Sequence, residues 1–374
     1  GDGDGDGDAS CDRDGHDVHC PRLAAYVLWT SWWESCRIAK GVTEVCHCLV
    51  VPPTGFKDSK APLPVILFLT GQGHVNNREH FYVGGVNLIL RNPVVRKHFV
   101  VVAPKPTTGC GILKLNDKGR RAWNEDGVWA IFTEVLRRLG RESVDPGRLY
   151  VTGLSLGASG VWRLLSKYGR RFAAAAPVSG PAEWPGDSWP RGRGPSRRVR
   201  EVFSSVPVRA YEIDMEGRQS EWPPGPGRDM AYLAWKRGAE QRERRLRLRG
   251  LGPGTELDVE VREWPHAARA GAGALELWSV PGPIHDDKWI EAAWGGDNHC
   301  LWMRVYPFVQ WDLAGFFLRH TCPPEHRWRF SDAPLELEAY APVCESALEL
   351  QGHCYPPPSA PGGPPDTFDM MFTG

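Results

Sequence analysis

The sequence lacks several features that would each assign it to a definite functional class. It has no apolar run of about 18 residues, so we expect no transmembrane helix. Its 45 Lys and Arg side chains balance its 45 Asp and Glu side chains, so no overall field draws it to nucleic acid or to a membrane surface. No secretory signal peptide is visible, although the chain begins at Gly and not at Met.

Cysteine spacing argues against a common metal site. The chain has 10 cysteines, but no two of them form a C-x-x-C pair. We therefore predict no zinc site and no other metal. An even number of cysteines in a chain this long does not establish disulfides, although Cys322, Cys344 and Cys354 could pair in an oxidising compartment. The sequence does not identify the cellular compartment. We expect the protein to be soluble.

The two ends of the chain are predicted to lie outside the folded domain. Residues 1–22 begin with four Gly-Asp repeats and contain few apolar side chains, so they bury too little surface to offset the entropy lost on ordering. They also lack the EF-hand calcium loop, which ends in Glu at its twelfth position. Residues 321–374 are rich in proline and weakly periodic. We expect one domain between these ends, residues 23–320.

Within that domain, apolar runs of strand length alternate with helical patterns. The predicted strands are residues 45–51, 64–70, 98–104, 149–153, 172–179 and 206–213. The predicted helices are residues 86–96, 127–139, 156–167 and 302–320. Strands that alternate with helices across short Gly or Pro turns form a parallel, doubly wound sheet with helices on both faces. The predicted fold class is therefore α/β.

Four further segments interrupt this alternation. Residues 105–125 are predicted to form a loop, and residues 267–283 an inserted hairpin. Residues 255–264 alternate between polar and apolar side chains, which predicts a strand near the sheet edge. Residues 229–249 are predicted to form a helix that ends in a run of arginines. We interpret this run as a solvated face, with an anion-binding surface as the alternative.

The most specific motif is Gly153-Leu-Ser-Leu-Gly157, which follows β-forming residues and precedes helix-compatible sequence. In this setting a Gly-x-Ser-x-Gly motif is a nucleophile elbow, a sharp turn that lifts the serine hydroxyl clear of the sheet. The turn is so tight that a side chain at either glycine would collide with its neighbours. We therefore predict that Ser155 is a nucleophile. The alternative is an ordinary turn.

Several segments between residues 44 and 318 carry a family resemblance. They are Val50-Val-Pro-Pro-Thr-Gly-Phe56, residues 63–69 leading to Gly71-Gln-Gly73, Val101-Val-Ala-Pro104, residues 144–157, and His299-Cys-Leu-Trp302 followed by Tyr306 and Trp311. In these segments the chain resembles α/β-hydrolases of the predicted-peptidase, feruloyl-esterase and polyhydroxybutyrate-depolymerase-like group. The resemblance implies an α/β-hydrolase fold with insertions near residues 181–200, 217–227 and 265–296.

The resemblance also implies which histidine serves as the base. In this fold the triad follows the chain order serine, acid, histidine. The family closes with a His that is followed by Trp at the third position and by an aromatic residue at the seventh. His299 matches this spacing through Trp302 and Tyr306. His285 is the alternative base, because His285-Asp286 also resembles the family.

The acid is expected in the loop after residues 206–213, where a carboxylate can orient the imidazole. The family's Asp falls on Glu216, and the usual His-Gly ahead of it is replaced by Glu212-Ile213. Asp214 has the commoner residue type with a two-residue shift. We favour Asp214 slightly and retain Glu216 as the alternative.

The oxyanion that forms on the substrate needs main-chain donors. The resemblance assigns one to the N–H of Leu156 and the other to the loop Gly71-Gln72-Gly73. The family usually has His before the first of these glycines, where this chain has Thr70. Because the donor belongs to the main chain, we expect this change to alter the bonding of the loop without removing the donor.

We therefore expect a serine hydrolase that cleaves small-molecule or polymer-linked carboxylic esters through an acyl-enzyme and needs no cofactor. Trp123 and Trp302 are candidate aromatic walls of the substrate site. One alternative is a serine peptidase of the same fold. Another is a catalytically inactive hydrolase fold that serves as a binding module, which the altered acid region and Thr70 would favour.

Overall fold

The fold is described from a computed structural model. It describes residues 32–36, 46–54, 56, 59, 61–71, 86–90, 92–107, 110–115, 121–180, 206–213, 242–249, 256–264, 275–280 and 307–331. Within these ranges, none of the helices combines the length and the apolarity that crossing a bilayer requires.

The described strands form a 10-stranded sheet and a separate two-stranded sheet. In chain order they are β1 (Trp32–Cys36), β2 (Cys46–Val51), β3 (Leu63–Leu69), β4 (Val100–Pro104), β5 (Leu113–Leu115), β6 (Arg121–Trp123), β7 (Val144–Leu154), β8 (Ala174–Val178), β9 (Val208–Ile213), β10 (Arg242–Arg249), β11 (Glu256–Trp264) and β12 (Leu275–Val280). The large sheet has the order β1-β2-β4-β3-β7-β8-β9-β12-β11-β10, and β5 pairs with β6.

Five described α-helices accompany the strands. They are α1 (Asn87–Leu90), α2 (Pro93–His98), α3 (Glu125–Leu139), α4 (Leu156–Tyr168) and α5 (Pro307–Leu318). The single helix predicted for residues 86–96 is wrong, because α1 and α2 are separate. Asn92 caps the second helix by accepting hydrogen bonds from the N–H groups of Val94 and Val95, and Pro93 occupies the first helical position, where its missing N–H is not needed.

The centre of the sheet is parallel and buried on both faces. Strands β4, β3, β7, β8, β9 and β12 run parallel to one another, whereas β2 is antiparallel to β4 and β11 is antiparallel to β12. Along β3, Leu67 belongs to one apolar core with α3 and α4, and Phe68 belongs to the other with α1, α2 and α5. This explains the continuous apolar runs. The predicted α/β class is confirmed, and the strand order is that of the α/β-hydrolase fold.

Two predictions for irregular segments are wrong. Residues 105–125 contain the β5–β6 pair, in which Leu113 lies opposite Trp123, because strands of three residues are too short to show a period. Residues 267–283 contain β12, which pairs in parallel with β9 and antiparallel with β11. It is therefore part of the main sheet. As a result β11 is paired on both sides and lies next to the edge strand β10, which agrees with the predicted position near the sheet edge.

The arginine run lies on the edge strand β10, so the helix predicted for residues 229–249 is wrong over residues 242–249. Five opposite-charge pairs face each other across β10 and β11: Arg242–Glu263, Glu243–Arg262, Arg245–Glu260, Arg247–Asp258 and Arg249–Glu256. Between them, Leu246 lies opposite Val259 and Leu248 opposite Leu257. The period is therefore that of a strand, with charges directly opposite one another. Most of the positive charge is matched by carboxylates, which agrees with the solvated-face interpretation.

The folded part of the chain extends past the predicted boundary at residue 320. Trp328 is buried in the core beside α3 and α4. Cys322 is also buried, and its N–H donates to the carbonyl of Gly147 at 2.7 Å. Its thiol is free and lies 3.3 Å from the carbonyl of Arg170, and burial raises its pKa to about 11. Cys344 and Cys354 lie outside the described residues.

One disulfide is present among the described residues. It joins Cys46 on β2 to Cys110, which lies just before β5, with the two Cα atoms 5.1 Å apart. The sequence alone does not establish this pairing, because the spacing of the cysteines does not identify partners.

Arg209 on β9 is the centre of a buried ion network. Its guanidinium contacts both carboxylate oxygens of Asp312 on α5 at 2.6 and 2.7 Å and Glu276 on β12 at 2.8 Å. It also lies over the rings of Trp278 and Phe316, at 4.6 and 4.5 Å from their centroids. Because two strands and a helix each supply a group, the network fixes α5 against the sheet.

Tyr211 completes this network. Its hydroxyl donates to a carboxylate oxygen of Asp312 at 2.5 Å. Burial, followed by the charge of Asp312, raises the pKa of Tyr211 well above its usual value, so the phenol keeps its proton and remains a donor. Burial acts to lower the pKa of Arg209, but the acidic groups beside it outweigh this effect and raise it.

We predict that Asp312→Asn lowers the free energy of unfolding by about 3 kcal/mol, because it leaves a buried guanidinium incompletely paired. The control is Arg247→Ala, which removes a side chain that is 75% exposed and lies 3.5 Å from Asp258. We expect that change to be below about 1 kcal/mol. Urea denaturation measures both, and equal effects would contradict the assignment of the network as a buried anchor.

Candidate active site

Ser155 lies at the junction of β7 and α4 in a strained backbone conformation. Its φ is 57° and its ψ is −117°. Among the described residues, Ser155 shares a positive φ with only one other non-glycine residue, Ser179. Such a conformation is costly for a residue with a side chain and is often retained at functional sites. The N–H of Ser155 donates to the carbonyl of Val178 at 3.0 Å, and its own carbonyl accepts from the N–H of Ser159 at 3.1 Å.

The two glycines of the elbow are required for space. A Cβ built on Gly153 would lie 2.6 Å from the carbonyl oxygen of Leu69, and one built on Gly157 would lie 1.9 Å from the same oxygen. Both distances are too short for any side chain. The end of β3 therefore packs directly against the elbow. This close packing is the steric constraint that requires glycine at both positions, as the motif predicts.

This contact brings the start of the predicted oxyanion loop to the nucleophile. The register pairs Leu69 with Gly153, so Thr70 and Gly71 follow beside the start of α4, and both are buried. The N–H of Leu156 belongs to the first turn of α4, where N–H groups have no partner inside the helix. Gln72 and Gly73 lie outside the described residues, so the complete oxyanion hole stays a prediction.

The strand that precedes the candidate acids ends at the same edge of the sheet as β7 and β8. Val178 on β8 pairs in parallel with Tyr211 on β9, and β9 ends at Ile213. The next residue begins the segment that holds the candidate acids. The acids Asp214 and Glu216, the bases His285 and His299, and Trp302 lie outside the described residues. Their roles stay predictions.

Two residues beside the elbow were not singled out from the sequence. Ser179 directly follows β8 with a φ of 47°, and its N–H donates to the carbonyl of Tyr211 at 2.8 Å. Its hydroxyl is buried and bonds no group within the described ranges, as is also true of the Thr70 hydroxyl. Gly180 is buried against the elbow. The sequence feature that could indicate Ser179 and Gly180 is that both are small residues at the end of a predicted strand, next to the elbow strand.

Trp123 does not provide a substrate wall in this structure. Only 1% of its surface is exposed, and its indole ring packs so closely on α4 that a Cβ on Gly160 would lie 2.6 Å from it. It is a core side chain that the sequence could not distinguish from an exposed one.

Within the described ranges, no three His, Cys, Asp or Glu side chains converge as metal ligands would.

No protein-family model matches this chain, and no curated protein matches it either. Solved structures similar to this chain include the following three. A thermostable esterase has a TM-score of 0.48 and 16% identity over 78% of this chain and 63% of its own, so this chain spans less than two thirds of that protein. A ferulic acid esterase has a TM-score of 0.35 and 17% identity over 50% of this chain and 80% of its own.

The third is a putative dienelactone hydrolase from Klebsiella pneumoniae, with a TM-score of 0.41 and 13% identity over 77% of this chain and 99% of its own. Since all three TM-scores lie below 0.5, the assignment of the fold depends on the strand order and the elbow of this chain itself.

We predict that Trp123→Phe lowers the melting temperature and leaves KM for an ester substrate within about twofold, because a large buried ring is lost but no substrate contact. Trp129→Phe is the matched control, since Trp129 is also buried and lies on α3. Thermal denaturation and steady-state kinetics measure both variants. A selective rise in KM for Trp123→Phe, with an unchanged melting temperature, would restore Trp123 to the substrate site.

Proposed function

We propose that this protein is a serine hydrolase that cleaves carboxylic esters with Ser155 as its nucleophile. The observation that supports this most directly is the backbone of Ser155, which is held at a positive φ between β7 and α4. The conformation places the serine at the N-terminus of a 13-residue helix, where the helix dipole favours negative charge. A hydroxyl in that position is suited to attack a carbonyl. The oxyanion that results then lies close to the helix N-terminus, which stabilises it.

The reaction begins when the Ser155 oxygen attacks the ester carbonyl and His299 accepts the serine proton. The oxyanion is stabilised by the N–H of Leu156 and by the loop that starts at Gly71. Collapse of the tetrahedral intermediate transfers the proton from the imidazole to the departing alcohol and leaves an acyl-enzyme. Water then gives a proton to the same imidazole and attacks the acyl carbon. The imidazolium returns that proton to the departing Ser155 oxygen as the acid is released, which restores the free serine. The carboxylate of Asp214, or of Glu216, orients the imidazole.

Two alternatives share the fold. A serine peptidase would use the same nucleophile and donors on an amide. A catalytically inactive binding module would need neither the serine hydroxyl nor the strained backbone that carries it. The positive φ of Ser155 therefore favours an enzyme, since such strain persists where the surrounding structure and the function maintain it.

We predict that Ser155→Ala abolishes both ester hydrolysis and labelling by a fluorophosphonate probe, because the probe reacts with an activated serine. Ser166→Ala is the control. It removes a hydroxyl on the same helix that bonds the carbonyl of Arg163 at 2.6 Å, and it should keep labelling. If the wild-type protein is neither labelled nor active on a panel of p-nitrophenyl esters, the binding module becomes the better assignment.

We predict that His299→Ala lowers kcat by on the order of 10³-fold or more, as expected for loss of a triad base, whereas His285→Ala does not. Steady-state kinetics on the same ester distinguish the two, and a loss confined to His285→Ala would exchange their roles. The acid is selected by the same assay on Asp214→Asn and Glu216→Gln. The variant with the larger loss of kcat identifies it.

A further inference from the structure

The peptide bond between Ser155 and Leu156 joins the nucleophile to the predicted oxyanion donor. Its carbonyl belongs to Ser155 and its N–H to Leu156, and the two groups are fixed in one plane because the peptide bond does not rotate freely. Any contact that fixes the direction of the Ser155 carbonyl therefore fixes the direction of the Leu156 N–H. A contact that pushed this carbonyl aside would turn the N–H away from the oxyanion.

Two groups hold this carbonyl in place. One is the N–H of Ser159, which donates to it at 3.1 Å as the first hydrogen bond of α4. The other is Gly180, which packs against it from the neighbouring strand. A Cβ built on Gly180 would lie 2.3 Å from the Ser155 oxygen, 3.1 Å from the Ser155 carbonyl carbon and 2.6 Å from the Cβ of Ala158. Real Cβ atoms do not approach other atoms to less than 3.0 Å.

The turn that carries Gly180 is tied to the active-site edge on both sides. On one side, Val178 accepts the N–H of Ser155 at 3.0 Å. On the other, the N–H of Ser179 donates to Tyr211 on β9 at 2.8 Å. Ser179 itself has a φ of 47°, so the chain turns sharply between these bonds. Gly180 therefore cannot move away from the Ser155 carbonyl without disturbing a turn that is held at two points.

Gly180 is required for space and not for its backbone conformation. Its φ is not among the positive values of the described glycines, which are those of Gly111 and Gly140. Any residue could adopt its backbone angles, but only glycine leaves room for the Ser155 carbonyl. This separates Gly180 from glycines that serve only to turn the chain.

We propose that Gly180 is a positioning residue that fixes the Ser155–Leu156 peptide, and with it the Leu156 N–H as oxyanion donor, provided that Ser155 is the nucleophile proposed above. Gly180 itself touches no reacting atom. It acts as a support behind the peptide, from the opposite side of the elbow to the contact that β3 makes with Gly157.

The test is Gly180→Ala in the full chain. We expect kcat to fall by about 10-fold to 100-fold, a part of what loss of a whole oxyanion donor causes, with KM within about threefold. An alkylboronic acid, which mimics the tetrahedral intermediate, should lose affinity in proportion to kcat/KM. A purely structural role would lower the fraction of folded protein and leave kcat per folded molecule and boronate affinity unchanged. That outcome would overturn the proposal.

Gly160→Ala is the matched control for crowding. It also adds a methyl group at a tightly packed glycine, in this case one on α4, but its Cβ would meet the Trp123 ring at 2.6 Å and not the Ser155 carbonyl. We expect it to lower the melting temperature and to keep kcat per folded molecule. Equal losses of kcat and boronate affinity in the two variants would show that crowding anywhere near α4 has the same effect, and would contradict the proposal.

A second variant covers the case in which Gly180→Ala does not fold. Ala158→Gly/Gly180→Ala removes the clash with the Ala158 Cβ and keeps the one with the Ser155 oxygen. We expect it to fold with the low kcat and the weak boronate binding described above, and full activity would refute the role of Gly180.

If Ser155→Ala were active, the proposed function itself would fail. An inactive Ser155→Ala together with a fully active Gly180→Ala would refute only the role of Gly180.

Discussion

The candidate active-site end of this molecule depends on the contact between the last residue of β3 and the tight turn at Ser155. The Leu69 carbonyl lies so close to Gly157 that even a methyl group there would overlap it at 1.9 Å, and it approaches Gly153 nearly as closely. This contact brings three features together. The helix α4 can start directly after Ser155, the predicted oxyanion loop can start beside it, and the serine is forced to the apex of the turn. Without glycine at these two positions, the strand and the helix could not approach each other.

Such a turn survives only because the structure below it is rigid. The strands β3, β7 and β8 are buried on both faces, so their ends cannot shift independently. On one face, α3 and α4 pack against the sheet. On the other, α5 is fixed by Arg209, which lies between Trp278 and Phe316 and is paired with Asp312 and Glu276. The network is centred on β9, the strand that leads into the segment with the candidate acids. The same packing thus supports Ser155, the proposed nucleophile, and the start of the segment with the candidate acids.

Local sequence patterns predicted the centre of the fold. The features that they did not predict depend on contacts between segments that are distant in the chain. The buried strands and the tight turn at Ser155 could be predicted from the sequence because each is a short run with its own apolar period or steric rule. In β10, arginine and leucine suit a helix as well as a strand, and only the carboxylates of β11 settle the choice. Gly180 looks like an ordinary glycine after a strand until β8 is placed beside Ser155. Trp123 is likewise a core residue because of a contact that the local sequence does not show, the packing of its ring against α4.

The strain at the elbow bears on whether the site is active. Ser155 and Ser179, which directly follow the paired ends of β7 and β8, are the two non-glycine residues with positive φ in the described part of the chain. Each such conformation costs about 1–3 kcal/mol, a large fraction of the 5–15 kcal/mol or so that stabilises a typical domain. Glycine at either position would remove that strain. A fold kept only as a binding surface would gain stability from this change, whereas a serine nucleophile excludes it at Ser155. The retained serine therefore favours catalysis over a purely structural use of the fold.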